Sequence, residues 1–462
     1  MKHSNTNDLN NHDESLKRLA KERSEQFKKE ALSIEDQVIE EFNKKYAVVH
    51  SSSTYILIEK KNKVIFDKKN SLEVLHSNDF FIPSGDSKKP IKKFPFWMNH
   101  PNRRTYKEGI VFDPTRQGHY GNQYNLFKGH TVLPKQGNCN LYWEHVYCNI
   151  CNGNDAHYNY VRKWMASIIQ KPKVLGTALV LRGKQGTGKN VFVEHFGKLF
   201  GQHFLTLTSL DQVCGKFNAH LQYAYLIFAN EALWDGSKKE VGALKALITD
   251  PTIFIEAKGK DGFQIDNYRH LIICSNEDSA VPIDWDDRRF FCLNVSSEHK
   301  EDGAYFGKVV YQLKQGGYEA LLYDLQNEDL SNFDPRDMPL NDSGFDMKKK
   351  SGSSADIFVF EMLKHGAQNF ILDESVWKFE SEIRTKEIQK NYRDFCDEEG
   401  LKREDKSVLG KSIKKFIPSV YSKKGTTRAD RGNRYYFPSL DKCRKEFEIA
   451  TKSTSKVWEE DV

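Results

Sequence analysis

One stretch constrains this chain more than any other: Gly183-Lys184-Gln185-Gly186-Thr187-Gly188-Lys189-Asn190, set between the apolar run Thr177-Ala178-Leu179-Val180-Leu181 and Val191-Phe192-Val193-Glu194-His195-Phe196. The apolar run reads as a buried strand, the glycines as a turn and the residues after them as a helix. Gly183, Gly186 and Gly188 allow positive φ and close backbone approach, so consecutive N–H groups and the helix N-terminus can surround a polyphosphate, while Lys189 adds a mobile positive charge. This is a phosphate-binding loop in all but its last residue, because Asn190 stands where a Ser or Thr hydroxyl ordinarily reaches Mg²⁺.

The other half of such a site belongs at the tips of neighbouring buried strands. The run Tyr223-Ala224-Tyr225-Leu226-Ile227-Phe228-Ala229 ends in Asn230-Glu231, where a carboxylate can polarise attacking water; Glu231 is the expected catalytic base. Asn230 occupies a position where an acidic residue usually orients the metal, so both Mg²⁺-side positions, Asn190 and Asn230, are amides; an amide oxygen coordinates but adds no negative charge. After a helix marked by Val241, Leu244, Leu247 and Ile248, a hairpin is expected with Lys258 and Lys260 near its tip. The strand Leu271-Ile272-Ile273-Cys274-Ser275 ends at Asn276, suited to sensing a terminal phosphate. Asp286-Asp287-Arg288-Arg289 precedes the strand Phe290-Phe291-Cys292-Leu293. An arginine there can reach phosphates bound by a neighbouring subunit, or it can pair with the adjacent aspartates.

The order of these features, together with Gly215-Lys216-Phe217-Asn218, Glu256-Ala257-Lys258-Gly259, Trp164-Met165-Ala166 and Phe333-Asp334-Pro335-Arg336, resembles the superfamily III helicases of the AAA+ class. More narrowly it is similar to the helicase part of phage and plasmid primase–helicase proteins, over roughly residues 95–355. The resemblance implies an α/β fold with an AAA+ phosphate-loop core. It implies ATP held by Gly183, Gly186, Thr187, Gly188, Lys189 and Asn190, with Mg²⁺ near Asn190 and Asn230. It further implies Glu231 as catalytic, Asn276 as sensor, Lys258 and Lys260 facing single-stranded DNA in a homo-hexameric ring, and Arg288 or Arg289 acting in trans. The rival function is a nucleotide-dependent DNA-binding switch or scaffold in which the two amides have suppressed hydrolysis.

The remaining chain is expected to divide as follows: a charged helical or disordered segment, 1–45; a small mixed α/β domain, 46–135; the core with its preceding helices, 136–330; a linker, 331–355; a winged-helix-like domain, 356–440; and a tail, 441–462. The first 150 residues show no paired carboxylates for nucleotidyl transfer, so a separate primase or polymerase is an expected partner, as is origin or forked DNA. The cluster Phe94-Pro95-Phe96-Trp97 with Arg103 and Arg104 reads as a Trp-anchored core with solvated arginines in preference to a nucleic-acid platform. Cys148 and Cys151, near Cys139, His145 and His157, lack a second cysteine pair and read as helix packing in preference to a zinc site. Net charge is only +6, yet Lys406 to Arg434 holds nine Lys or Arg against the single Asp430. That excess, carried by Lys414, Lys415, Lys423, Lys424, Arg428 and Arg431 among others, points to nucleic acid. No run of about 18 apolar residues exists, and the polar start lacks a signal-peptide core, so no membrane partner and a cytoplasmic location in a bacterium or infected host cell are expected. Eight scattered cysteines fit free thiols.

Overall fold

The computed structural model describes residues 33–51, 53–60, 63–84, 89–116, 118, 121–230, 238–256, 262–276, 283–285, 287–342, 345–366, 382–424 and 432–459. The chain divides into two compact units, Met1–Lys128 and Gly129–Val462.

In the first unit, α1 (Ile34–Lys45) starts at Ser33, whose side chain accepts from Asp36 N, with acidic residues in its first turn and lysines in its last, as the helix dipole favours. Val38, Ile39 and Phe42 share one buried face. They pack with a sheet of β1 (Tyr46–Ser51), β2 (Ser53–Lys60) and β3 (Lys63–Asp67), in which β2 is antiparallel to both its neighbours, completed beyond β1 by β4 (Thr105–Tyr106), parallel to β1. From α2 (Lys93–Asn99), Phe94 and Trp97 enter the same core with no exposed surface. The Trp-anchored reading therefore holds for the aromatics, but the arginines are not solvated. Arg104 forks onto Glu59 at 2.9 and 3.2 Å, and Arg103 donates to Met98 O and to Thr105 Oγ1. Burial raises the pKa of Glu59, but hydrogen bonds from Arg104 and Tyr124 outweigh it and hold the carboxyl at about 2.

The second unit is built on a parallel sheet. Along the chain its strands are β5 (Ala178–Arg182), β6 (Phe204–Leu207) and β7 (Leu226–Asn230), then, after the antiparallel pair β8 (Thr252–Ile255) and β9 (Phe263–Asp266), β10 (His270–Ser275) and β11 (Phe290–Asn294). In space the order is β6-β7-β10-β5-β11, every pair parallel. The strands β5, β7, β10 and β11 are almost wholly buried, which is why they read as continuous apolar runs without alternation. Around them lie α3 (Asp155–Gln170), α4 (Lys189–Gly197), α5 (Lys238–Thr249), α6 (Gly303–Gln312) and α7 (Tyr318–Asn327).

The stretch 331–355, expected as a linker, carries α8 (Phe345–Ser351), whose Met347 is fully buried in the sheet's core. Then come α9 (Ser354–His365), β12 (Glu382–Arg384), α10 (Thr385–Glu398), α11 (Lys406–Phe416), β13 (Tyr421–Lys424), β14 (Asn433–Tyr436) and α12 (Leu440–Thr451). The three strands form an antiparallel sheet with β14 in the middle. The stretch 441–462, expected as a tail, supplies most of α12, which buries Cys443 and Phe447 against Phe358, Phe360, Phe395 and Phe416. Its apolar stripe at i and i+4 is too sparse to stand out among the charges of that segment. Among the described residues no helix is long and apolar enough to cross a membrane.

In the first unit Asn43 is the polar joint: Oδ1 accepts from Trp97 Nε1 and from Arg104 N, both at 2.8 Å, and Nδ2 donates to Asn102 O at 3.0 Å. Asn43→Ala strands the indole N–H inside the core and is expected to cost about 1–3 kcal/mol. Urea denaturation measures it, and a change under about 0.5 kcal/mol, typical of neutral surface positions, shows that the joint carries no weight.

Candidate functional site

A parallel sheet gathers at one edge the residues that follow its strands' carboxyl ends, and ligands of open α/β sheets bind outside that edge. Ser275 pairs with Arg182, so Asn276 and Gly183 leave adjacent strands side by side, and Asn230 pairs with Cys274 one strand further. Gly183 N donates to Ser275 O at 3.2 Å and closes the junction. Gly186 and Gly188 have φ of 80° and 87°, and Gly188 caps α4. At Gly188 the need for glycine is also steric: a Cβ would lie 2.5 Å from Phe306 Cε1 and 2.7 Å from His145 Cε1. Two left-handed glycines ahead of a helix N-terminus form an anion-binding concavity.

Lys189 is only 5% exposed, and its Nζ donates to Gly183 O, to Lys184 O at 2.9 Å and to Asn276 Oδ1 at 2.9 Å. Surrounding elements hold the loop's other carbonyls. Asn149 Nδ2 donates to Thr187 O at 2.5 Å, Glu301 N to Gly186 O at 2.9 Å, and His145 Nε2 to Gly188 O at 3.1 Å. Thr187 Oγ1 in turn donates to Lys184 O at 2.8 Å. A cavity of about 420 Å³ opens beside them, lined by Gly186, Lys189, Asn190, Asn276, Glu301 and Phe306 among others. Burial lowers the pKa of His145 to about 4 against the raising effect of its bond to Gly188. The ring is thus neutral near pH 7, with the Tyr305 hydroxyl at 3.4 Å from Nδ1.

Of the residues expected at the site, Gly183, Gly186, Thr187, Gly188, Lys189, Asn190 and Asn276 come together, and half-buried Asn230 ends β7 at the same edge. Glu231, Lys258, Lys260, Arg428 and Arg431 lie outside the described residues. Arg288 is exposed, whereas Arg289 is half-buried and 3.5 Å from Asp287. Both precede the amino end of β11. Because the strands are parallel, that end is at the edge opposite the loop, a strand's length of about 16 Å away.

On α11, Lys414 donates to Val420 O and Lys415 pairs with Asp356 at 3.5 Å, so both help to hold the C-terminal module together. Lys423 and Lys424 are exposed on β13, with Lys423 over the stacked rings of Tyr421 and Tyr436. Exposed Lys411, one of the nine basic residues of that segment, stands three residues before Lys414 on the same helical face. Asn149, Glu301 and Phe306 were missed; each is far from the loop in sequence and belongs to no local motif. His145, noted only beside the cysteines, serves the loop, while Cys139 Sγ lies 3.3 Å from Asp324 Oδ2.

Residues 181–289 match a family of unknown function (DUF5906). Over 141 residues, 30% of this chain, the sequence is 33% identical to a DNA primase-polymerase of Nitratiruptor phage NrS-1, and the match spans 20% of that relative's length. Among solved structures, the apo NrS-1 C-terminal region superposes with a TM-score of 0.60 at 19% identity, covering 83% of this chain and 94% of that one. Its A form gives 0.58 at 18% identity with the same coverage. The chain therefore shares the fold of the C-terminal region of a phage primase-polymerase and is distantly similar to it in sequence.

The neutral His145 links the site to pH. Its folded pKa of about 4 lies below the ordinary 6.5, so the unfolded chain binds the extra proton first. Its contribution is complete above pH 6.5, falls as pH drops below that value and is gone below about 4. Between pH 7 and 5 this one group is expected to remove roughly 2 kcal/mol of stability. His145→Gln keeps a donor for Gly188 O but does not titrate, so urea denaturation at the two pH values is expected to give it a shallower pH dependence than wild type. Equal slopes exclude His145 as the titrating group.

Proposed function

We propose that this chain is the ATPase subunit of a ring-forming, superfamily III type DNA helicase that translocates on single-stranded DNA during replication of a phage or related mobile element. The observation that carries the reading is the bond from Lys189 Nζ to Asn276 Oδ1, which joins a phosphate loop to the polar tip of the adjacent strand in a cavity bordered by a helix N-terminus. Three further observations support it. The loop strand β5 lies between β10 and β11 in a five-stranded parallel sheet, as an AAA+ core requires. Arg288 and Arg289 are at the sheet edge remote from their own loop, which suits exposed Arg288, or Arg289 freed from Asp287, to a neighbouring copy's nucleotide. The order α9-β12-α10-α11-β13-β14 with a basic β-ribbon suits a winged helix. The phage relative, a DNA primase-polymerase, fits the same setting.

In this reading an incoming triphosphate takes over the Lys189 ammonium from the loop carbonyls, and Asn276 senses the terminal phosphate. Glu231 accepts the proton of the attacking water, and the attack expels ADP. The left-handed Gly186 and Gly188 ahead of the N-terminus of α4, beside the cavity of about 420 Å³, make a concavity that fits a phosphate. Asn190, which lines the cavity, and Asn230 are the residues that would hold Mg²⁺, which when bound neutralises phosphate charge. Because both are amides, a second reading stands beside the first: a nucleotide-dependent DNA-binding switch with little turnover.

One set of measurements separates them: ATP binding and Mg²⁺-dependent phosphate release, with and without single-stranded DNA. Lys189→Ala is expected to weaken ATP binding on the order of 100-fold, since it removes a buried charged donor. Glu231→Gln is expected to bind normally and release no phosphate. ATP bound tightly by wild type without release favours the switch, and equal ATP affinity in wild type and Lys189→Ala overturns the site.

A further inference from the structure

Ile283 and Trp285 are two residues apart, yet they belong to different cores. Ile283 is fully buried behind the parallel sheet with Leu244, Leu247 and Ile273. Trp285, 1% exposed, sits in the aromatic core of the C-terminal module, its ring 5.2 Å from Phe345, 6.0 Å from Phe360, 5.7 Å from Phe416 and 5.5 Å from Phe447. The seat is shaped for it, because a Cβ on Gly352 would come within 2.3 Å of the indole Nε1. Ile283 N also donates to Ser351 Oγ at 3.2 Å, a second tie to the chain entering that module.

Arg288 and Arg289 follow directly. Asp287, its side chain 1% exposed, lies 3.3 Å from Lys245 Nζ of α5 and 3.5 Å from Arg289, and Asp284 holds the same lysine at 2.6 Å. The turn is thus pinned on one side to the module and on the other to the helix that leads into the β8–β9 hairpin. Only three residues, at most about 10 Å of chain, separate Trp285 from Arg288, so a backbone shift that follows a displaced indole passes into the arginine-bearing turn.

We propose that Trp285 is a positioning residue: it locks the arginine-bearing turn to the aromatic core of the C-terminal module, so that the module sets where Arg288 and Arg289 stand for the neighbouring subunit's nucleotide. The role rests on the reading of those arginines as groups that act in trans. It explains why a large indole is spent inside a foreign core whose own helices already supply Phe358, Phe395 and Phe416. The module then belongs to the ATPase machinery as well as to any nucleic-acid surface.

The test measures steady-state ATPase of the full chain alone and in mixed assemblies. Trp285→Leu is expected to lower kcat by about 10- to 100-fold, the effect of a misplacement of about 1 Å, with ATP affinity unchanged. Trp285→Phe, which keeps an aromatic ring in the seat, is expected to retain kcat within about threefold. Mixing Trp285→Leu with Glu231→Gln subunits is expected to restore turnover above either alone, because the second supplies a well-placed arginine to the first; mixing it with a double Arg288→Ala, Arg289→Ala variant restores none. A generally misfolded subunit is not rescued in this pattern. Should Trp285→Leu fail to fold, Gly352→Ala, which displaces the indole without removing it, is expected to give the same pattern. Full kcat in the folded variant, or no rescue by Glu231→Gln despite co-assembly, overturns the role of Trp285 alone when the double arginine variant is inactive. Turnover indifferent to the double arginine substitution overturns the trans-acting reading and this role with it.

Discussion

The ammonium of Lys189, buried and shared among Gly183 O, Lys184 O and Asn276 Oδ1, is the contact on which the rest of the site depends. A buried cation needs compensating dipoles, and here the glycine-rich turn and the tip of an adjacent strand supply them. The loop must therefore be curled back on itself, which requires the positive φ of Gly186 and Gly188, and β5 and β10 must end in register. Any anion entering the cavity meets a donor already placed and already desolvated. The neutral donors of Asn149 and His145 keep the loop's outer carbonyls occupied without adding a competing charge.

The parallel sheet imposes a second constraint. All five strands deliver their carboxyl ends to the loop's edge, so whatever precedes β11 is carried to the opposite edge. A turn bearing Arg288 and Arg289 has no route to its own chain's loop, and it is instead gripped by Asp287 with Lys245 and by Trp285 in the aromatic core downstream. Polar residues serve comparable structural ends in the first unit. There Asn43 and Glu59 gather Trp97, Arg104 and Tyr124, and the arginine that composition alone assigns to solvent is tied to a carboxylate.

What the sequence by itself determined was local. The glycine-rich loop depends on consecutive residues, three glycines and a lysine before an apolar helix, and so its place between strand and helix was legible at once; so were the buried strands, because a sheet covered on both faces leaves unbroken apolar runs. The polar tips Asn230 and Asn276 were legible for the same reason, as the first polar residues after such runs. The helices Thr385–Glu398 and Lys406–Phe416 carry amphipathic period and the strands after them carry basic charge, features that are likewise local to the sequence. Only the tertiary structure decided which distant residues meet. Asn149, Glu301 and Phe306 reach the loop across long sequence separations. Met347 and Phe447 turn an apparent linker and an apparent tail into parts of cores, and Trp285 joins a module that begins some sixty residues later. The physical reason is that packing and hydrogen bonding act through space: a lone Asn or Trp carries no periodicity, and its partner exists only once the sheet's strand order has brought the two segments together.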